Sequence, residues 1–249
     1  MVAGADLGLA AAAALAMTLL QLGIGTLNDV VDAPFDAGRK PGKPIPAGLV
    51  ARPLAGGLAG GLLATGTAIA AARSAALGGL AVMVVAIGVV YDLRLKGTVW
   101  SWLPFAVGIP ILPVFGWLAA RSTLEPFFAI LVPAAMVAGA ALAIANAFVD
   151  VERDRAAGRT SAASALGGQA GLVAGGLFAI VWIVAVASTT PGTLILPTVI
   201  LAGSAATFAA LAARRSDPAR RELAWRVEAI ATGALGVVWL IGALGQAAT

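Results

Sequence analysis

Two stretches of this sequence carry an asparagine and two aspartates at the same spacing. Both read N-x-x-V-D-x-x-x-D, both follow a long apolar run, and both continue to a Gly-Arg pair. Residues four apart on a helix lie one turn apart on one face, so each copy can present a polar stripe. Carboxylates this close repel each other, and beside an apolar segment they require positive charge between them. The defined positions are Asn28, Asp32, Asp36, Asn146, Asp150 and Asp154.

The residue types limit the chemistry that this positive charge can support. The chain has no cysteine and no histidine, which excludes disulfides, thiolate nucleophiles, Cys/His zinc sites and imidazole catalysis. Mg²⁺ takes oxygen ligands, often one or two carboxylates, while substrate phosphates complete its shell. Two facing acidic stripes would hold two Mg²⁺ ions around a diphosphate, and nearby bases would take the remaining phosphate charge. The candidate bases are Arg39, Lys40, Lys43, Arg94, Lys96, Arg153, Arg155 and Arg159.

Membrane-spanning helices must position these residues. Of the 249 residues, 60% are hydrophobic and 11% are charged, whereas a soluble domain has about 25% charged residues. A spanning helix needs about 20 apolar residues. Eight such runs fill most of the chain, namely 7–27, 54–72, 75–91, 102–120, 127–149, 171–187, 193–212 and 225–246. We therefore predict an all-α, polytopic bundle of about eight transmembrane helices, forming a single domain over residues 1–249.

The basic residues predict which side of the membrane each loop faces. With loops numbered alternately, fourteen of the 16 basic residues fall on one side, which the positive-inside rule makes cytoplasmic. We interpret the basic cluster at 214–226, and the net charge of +4, as topology, and we expect no nucleic-acid partner. Seven of the 12 acidic residues lie at helix ends on the same side: Asp29, Asp32, Asp36, Asp92, Asp150, Glu152 and Asp154.

Prolines set the local expectations. Pro34 disfavours helix at Ala33 and removes a backbone donor, so we expect Asn28 and Asp32 on the helix and Asp36 at a kink or in the loop. In the second copy, Asn146, Asp150 and Asp154 can form a single polar stripe on a helix. Three prolines at 104, 110 and 113 should break or kink the helix that contains them. Asp29 and Glu152, taken singly, are most simply solvated loop charges.

Four stretches, in order, resemble motifs of the UbiA superfamily of intramembrane prenyltransferases. "NDVVDAPFD" (28–36) matches the first family motif, N-D-x-x-D-x-x-x-D, at every defined position. "GKPIPAG" (42–48) is similar to the basic-Pro-(Leu/Ile)-Pro-x-Gly stretch, with Lys43 at the basic position. "YDLRLKG" (91–97) is similar to the Tyr…Leu-Lys loop, and "DVERDRAAGRTSAASALG" (150–167) resembles the second aspartate motif and its tail.

The resemblance implies transfer of a prenyl group from an allylic prenyl diphosphate to a lipophilic, often aromatic, acceptor, with Mg²⁺ as cofactor. The enzyme would lie in the inner membrane among its lipids, with the active-site loops cytoplasmic. By the same resemblance, the catalytic residues would be Asp32, Asp150 and Tyr91. The Mg²⁺ ligands would be Asn28, Asp32, Asp36, Asp150 and Asp154. The diphosphate would be held by Lys43, Arg94, Lys96 and Arg159.

Family members have nine helices, and their first aspartate motif ends the second helix. In this chain it ends the first predicted helix, so we expect the counterpart of the family's first helix to be missing.

Two other functions remain open. A terpene cyclase of the same superfamily would use the same site, with the cation attacking its own chain. A secondary transporter also has intramembrane acids, but near the bilayer middle rather than at helix ends. Tyr91 has an alternative interpretation as an interfacial anchor.

Overall fold

The computed structural model describes residues 7–38, 40, 42–188, 195–213 and 217–247. These residues form eleven α-helices, one π-helical turn and one short 3₁₀ turn, with no strand among them. Arg39, Arg214 and Arg215, which the topology argument and the candidate bases include, lie outside the described residues. The helices are α1 Leu7–Asp36, α2 Arg52–Arg73, α3 Ala75–Val90, α4 Leu103–Gly108, α5 Ile111–Ala120, α6 Phe128–Val149, α7 Val151–Ala156, α8 Ala162–Leu166, α9 Ala170–Ala187, α10 Ile195–Ala213 and α11 Pro218–Ala247.

Seven helical segments of the described chain are long and apolar enough to cross a membrane. They are Leu7–Asp36, Arg52–Arg73, Ala75–Leu95, Leu103–Ala120, Phe128–Val149, Ala162–Ala187 and Pro218–Gly242. Each overlaps one of the eight predicted runs. The remaining run, 193–212, overlaps α10, which is not among the seven, and its residues 193–194 lie outside the described chain. The predicted fold class, all-α with membrane-spanning helices, is confirmed.

Contacts between Cα atoms divide the chain into two compact units. The first contains 3–94 and 114–124, and the second contains 95–113 and 125–249, each as far as these residues are described. The prediction of one domain over the whole chain stays a prediction. The first aspartate motif belongs to the first unit and the second motif to the second unit.

In the first unit, helices α1, α2 and α3 pack through small residues. Gly66 of α2 lies against the Ala16 carbonyl and the Leu20 side chain of α1, and Gly88 of α3 lies against Ile24. Ala16 and Leu20 are fully buried. Without a hydrophobic driving force in lipid, such close backbone approach is what holds helices together. The sequence motif at the end of α1 is therefore carried on a helix that is fixed along its length.

In the second unit, α6 is the central helix and packs against α4, α8, α9 and α11. The prolines interrupt the segment before it, as predicted: α4 ends at Gly108 and α5 begins at Ile111. Pro113 has no N–H for the Ile109 carbonyl, which instead accepts a hydrogen bond from the Leu112 N–H at 3.2 Å. On the other side of the unit, the Trp182 indole of α9 donates to the Val199 carbonyl of α10 at 2.6 Å.

Among the described glycines of the second unit, Gly139 of α6 has the closest backbone neighbours. A Cβ atom there would lie 2.7 Å from the Phe105 carbonyl carbon and 3.0 Å from the Ala106 Cα, both on α4. Because backbone cannot yield as a flexible side chain does, Gly139→Ala should destabilise the protein by about 2–3 kcal/mol. Chemical unfolding in detergent measures this. Gly176→Ala on α9, where no atom lies within 4 Å of the new methyl group, is the matched control. It should be as stable as the parent or more stable by about 0.5–1 kcal/mol, because alanine favours a helix over glycine.

Candidate active site

The first aspartate motif lies within α1, so the expected loop position of Asp36 is wrong. Helix α1 passes through Ala33 and Pro34 and ends at Asp36. Pro34 cannot donate to the Val30 carbonyl one turn earlier. The side chain of Arg52, at the start of α2, donates its Nε–H to that carbonyl at 3.0 Å. The Arg52 side chain thus supplies the donor that Pro34 lacks, and α1 continues past Pro34 to Asp36.

Three aspartates of the first unit are buried. Asp32 is 5% exposed, Asp36 is 5% exposed, and Asp92, from the turn after α3, is 6% exposed. The Asn28 amide donates to Asp92 Oδ1 at 2.9 Å, which ties the end of α1 to that turn. Burying carboxylates is costly unless positive charge or hydrogen bonds compensate. This end of the first unit is therefore built to receive cations.

Lys43 is one such cation. Its Nζ lies 2.5 Å from Asp29 Oδ1 and 3.1 Å from Asp36 Oδ2, and Lys40 lies 3.5 Å from Asp36 Oδ1. Partial burial alone would lower the pKa of Lys43, but hydrogen bonds and charge from Asp29 and Asp36 outweigh it and raise that pKa above its ordinary value. Asp29 was expected to be a solvated loop charge. It is instead an ion-pair partner of the predicted diphosphate ligand.

The loop that carries Lys43 folds back through successive turns. The Lys40 N–H donates to the Asp36 carbonyl at 2.9 Å, and the Gly48 N–H donates to the Ile45 carbonyl at 3.0 Å. Gly48 has φ of +73°, in the left-handed region that glycine occupies without strain. The motif "GKPIPAG" thus makes a compact turn that holds the Lys43 ammonium against the end of α1.

The "YDLRLKG" motif begins with a π-helical turn, Tyr91–Leu95. π-Helical turns are rare in proteins, and those that occur are often found at functional sites. Tyr91 is half-buried and Arg94 is exposed, whereas Asp92 faces inward to Asn28. Asp92 was not predicted as a site residue. In the sequence, Asp92 was marked only as one of seven acidic residues at helix ends. It lies outside both copies of the N-x-x-V-D-x-x-x-D pattern.

The second aspartate motif spans a break between two helices. Helix α6 ends at Val149, Asp150 lies between helices with φ −99° and ψ 9°, and α7 begins at Val151. The Asp154 N–H still donates to the Asp150 carbonyl at 2.9 Å, so the two aspartates keep a one-turn spacing across the break. Both are half-buried. The Asp150 carboxylate accepts a hydrogen bond from Arg153 at 2.8 Å.

Glu152, predicted to be a solvated loop charge, has a buried partner on α11. Arg221 donates from both terminal nitrogens to its carboxylate, at 2.9 and 2.5 Å, although the two residues are 69 positions apart. The Arg221 guanidinium also lies 4.8 Å from the centre of the Phe148 ring. The hydrogen bonds from Arg221 hold the pKa of Glu152 below its ordinary value. Arg221 belongs to the basic cluster that we interpreted as topology, and its side chain is in addition buried in an ion pair.

Two predicted diphosphate ligands of the second unit lie in loops that contact each other. Thr160 donates from its N–H and its hydroxyl to the Gly97 carbonyl, at 3.3 and 3.0 Å. The aliphatic part of Arg159 packs beside Gly97, which has φ of +76°. Lys96 precedes this glycine and, like Arg159, is half-buried. Hydrogen bonds therefore hold the loop that carries Arg159 against the loop that carries Lys96.

The sequence matches one known protein family over nearly its whole length. The sequence model described as the UbiA prenyltransferase family matches residues 3–244. The chain belongs to this family. It is accordingly an integral membrane protein and an intramembrane prenyltransferase. No curated protein matches its sequence.

Solved UbiA structures share the fold. A UbiA homologue from Aeropyrum pernix K1, solved without ligand, has a TM-score of 0.78 at 18% identity, covering 94% of this chain and 90% of its own. A UbiA homologue from Archaeoglobus fulgidus bound to GPP and Mg²⁺ has a TM-score of 0.67 at 19% identity, covering 96% and 89%. A structure of digeranylgeranylglyceryl phosphate synthase has a TM-score of 0.72 at 16% identity, covering 97% and 88%.

Proposed function

We propose that this UbiA-family protein transfers the prenyl group of an allylic prenyl diphosphate to a lipophilic, often aromatic, acceptor within the membrane, with Mg²⁺ as cofactor. The observation that carries the proposal is the end of α1, where buried Asp32 and Asp36 and the ion-paired Lys43 combine carboxylates and a base at a helix terminus. The A. fulgidus relative with the same fold was solved with GPP and Mg²⁺. A prenyl diphosphate and Mg²⁺ are the kinds of ligand that these carboxylates and this lysine suit.

The residues present fit a Mg²⁺ ion that depends on its substrate for ligands. In the described residues, no three acidic side chains are grouped as a ready-made metal cage. Mg²⁺ commonly uses one or two carboxylates and completes its shell with water and phosphate oxygens. Lys43 already brings one positive charge to Asp29 and Asp36. We propose as Mg²⁺ ligands the carboxylate and amide oxygens of Asn28, Asp32, Asp36, Asp150 and Asp154.

In this mechanism the bases and the apolar helices act on opposite ends of the substrate. When bound, Mg²⁺ supplies positive charge that stabilises the departing diphosphate. Lys43, Arg94, Lys96 and Arg159 bind the remaining diphosphate oxygens, and the Tyr91 hydroxyl donates a hydrogen bond near the leaving group. The bond between the allylic carbon and the diphosphate breaks, the acceptor forms a new bond to that carbon, and the acceptor loses a proton.

A cavity in the second unit suits the lipophilic partner. It has a volume of about 480 Å³ and is lined by apolar side chains of α5, α6 and α11, including Leu112, Leu131, Leu142 and Trp239. An apolar wall of this kind excludes water from an allylic cation, which would otherwise be hydrolysed. The size falls within the range of small-molecule sites. We propose that the active-site loops face the cytoplasm, since the positive-inside rule places the basic residues there.

Binding of geranyl diphosphate to the purified protein in lipid nanodiscs tests this function directly. Calorimetry should show saturable binding in Mg²⁺, and EDTA should weaken it about 100-fold or more, since the metal supplies the main charge compensation. Geraniol, which lacks the diphosphate, serves as the control ligand and should not compete. Binding of equal affinity with and without Mg²⁺ would contradict the proposed metal site.

A further inference from the structure

A buried acid on α11 has no role in the site described above. Glu228 lies about 15 Å along the helix axis from Pro218, inside a candidate membrane span, and is 4% exposed. Within the described chain no side chain forms a hydrogen bond or ion pair with its carboxyl group. Its backbone carbonyl accepts from the Thr232 hydroxyl at 2.8 Å, but that bond leaves the carboxyl unused. Ionisable residues within membrane spans are rare and usually mark proton or substrate pathways.

Two small cavities of the second unit meet at Glu228. One has a volume of about 10 Å³ and is lined by Arg221, Trp225 and Glu228, among others. The other has a volume of about 20 Å³ and is lined by Glu228, Trp182 and Thr232, among others. About 10–15 Å³ is enough to hold one water molecule if polar partners are present. Each cavity therefore has room for about one water beside the Glu228 carboxyl.

The first cavity has a second polar group that needs a partner. The Arg221 Nε–H is buried, and no described protein atom accepts a hydrogen bond from it, because both terminal nitrogens serve Glu152. A water molecule in this cavity would accept from Arg221 and bond to Glu228. That water would satisfy two buried groups at once, which is the common role of internal waters.

The second cavity adjoins the 480 Å³ apolar cavity. The two share Val181, Thr232 and Leu235 as lining residues. At the other end, Arg221 binds Glu152, whose side chain is 57% exposed to solvent. Polar groups therefore follow one face of α11 from the apolar cavity, through Thr232, Glu228 and Arg221, to the surface of the unit.

We propose that Glu228 is a proton-relay residue that removes the proton released when the acceptor is alkylated in the apolar cavity. This rests on the proposed function. The allylic C–O bond breaks with its electrons leaving on the diphosphate, and the acceptor uses its own electron pair to bond the prenyl carbon. The acceptor then loses H⁺ to water in the second cavity. Glu228 takes that proton at one carboxyl oxygen while the other oxygen gives its proton to the water held by Arg221. That water gives up one H⁺ to the Glu152 carboxylate, which is 57% exposed and releases the proton to solvent.

Among the described residues that line the two cavities at Glu228, Arg221 is the one other charged residue. The facing residues of α6, α9 and α10, such as Ala145, Phe178 and Ala206, are not titratable. Arg221 cannot itself carry the proton, since its guanidinium does not deprotonate in proteins. It holds the water in place. A carboxyl with no ionic partner at this depth is stable with its proton on, and a protonated carboxyl can pass a proton from one oxygen to the other.

Infrared spectroscopy of the protein in nanodiscs tests the relay without turnover. The difference spectrum between the parent and Glu228→Gln should contain a protonated-carboxyl band that shifts on transfer to D₂O. Arg221→Lys keeps a charge for Glu152 but lacks the Nε–H, and it should slow that shift about tenfold or more because the water loses a donor. Glu222→Gln changes an exposed acid on the same helix and should leave the band unchanged. A band that does not exchange, or that exchanges equally fast in Arg221→Lys, overturns the relay.

Product formation separates failure of the relay from failure of the proposed function. With geranyl diphosphate and a lipid extract of the host membranes as acceptor source, Glu228→Gln should form product about 10²-fold more slowly. Its Mg²⁺-dependent affinity for geranyl diphosphate should equal that of the parent, because Glu228 does not bind the diphosphate. Parent-like product formation in Glu228→Gln overturns the relay and leaves the function standing. Binding of geranyl diphosphate that does not require Mg²⁺ overturns the function and leaves the infrared result unaffected.

Discussion

Asp32→Ala should lower consumption of geranyl diphosphate about 10³-fold or more while the protein still inserts and stays folded. The proposed role of Asp32 is to hold the charge that stabilises the departing diphosphate, and groups of this kind contribute most in dry sites. Asp150→Ala should have an effect of the same size, because we propose that both motifs act on one substrate. Mass spectrometry of substrate and products over time, with host lipid extract as acceptor source, measures both variants.

Two further variants make this experiment decisive. Asp32→Asn keeps the shape of a side chain that is 5% exposed, so a loss of activity in both variants reflects the missing charge and not a cavity. Asp217→Ala removes an exposed acid that pairs with Arg220 at 3.6 Å, outside both motifs, and should leave turnover unchanged. Parent-like turnover in Asp32→Ala would refute the metal site.

Lys43→Met should have opposite effects on the two ligands of the site. Lys43 forms ion pairs with Asp29 and Asp36 and is the proposed contact to the diphosphate. Its removal should weaken binding of geranyl diphosphate about 10- to 100-fold, as expected for one charged hydrogen bond. It should also tighten binding of Mg²⁺ alone, because the carboxylates lose the cation that competes with the metal. Calorimetry with each ligand measures both changes.

The direction of the second change identifies the role of Lys43. A lysine that only stabilises the loop would weaken both ligands together on removal, and that result would contradict our proposal. Lys40→Met is the matched control, since Lys40 contacts Asp36 at 3.5 Å and is 39% exposed, so its effect should be small. Because the pKa of Lys43 is raised above 10.5, its charge is present below that pH and is lost only as the pH rises through the raised value.

Much of the fold was predictable from the sequence because lipid imposes simple rules on a chain. Uncharged runs of about 20 residues must be helices, since no other open structure satisfies the backbone in a bilayer. The proline interruption between α4 and α5 was also predictable, because proline lacks the N–H that a helical hydrogen bond requires. The family was predictable from "NDVVDAPFD" and three further motifs in order.

Two of the corrections involve partners that are distant in sequence. Nothing near Pro34 shows that Arg52 will supply the Val30 carbonyl with a donor, so Asp36 was expected at a kink or in the loop. Nothing near Glu152 shows that Arg221 will cross from α11 to bind it. Spacing within a segment predicts which residues share a helix face, but a hydrogen bond to another helix depends on tertiary packing.

Asp92 was missed for a related reason. A single aspartate after an apolar run has no periodicity, and its inward direction depends on the π-helical turn at Tyr91–Leu95. Its contact with Asn28, 64 positions away, is visible only in the folded chain. The roles of the predicted ligands in the two motifs remain proposals, which the variants above test.

The hydrogen bond from Arg52 to the Val30 carbonyl also makes the intervening loop exchangeable. Because α1 and α2 are fastened to each other at the base of this loop, residues 37–51 are a cassette with anchored ends. Chimeras that carry the corresponding segment of another family member, grafted between these anchors, should keep the aspartates in register while replacing the bases opposite them. Substrate preference could then be reprogrammed through one short graft, with the helical scaffold left as it is.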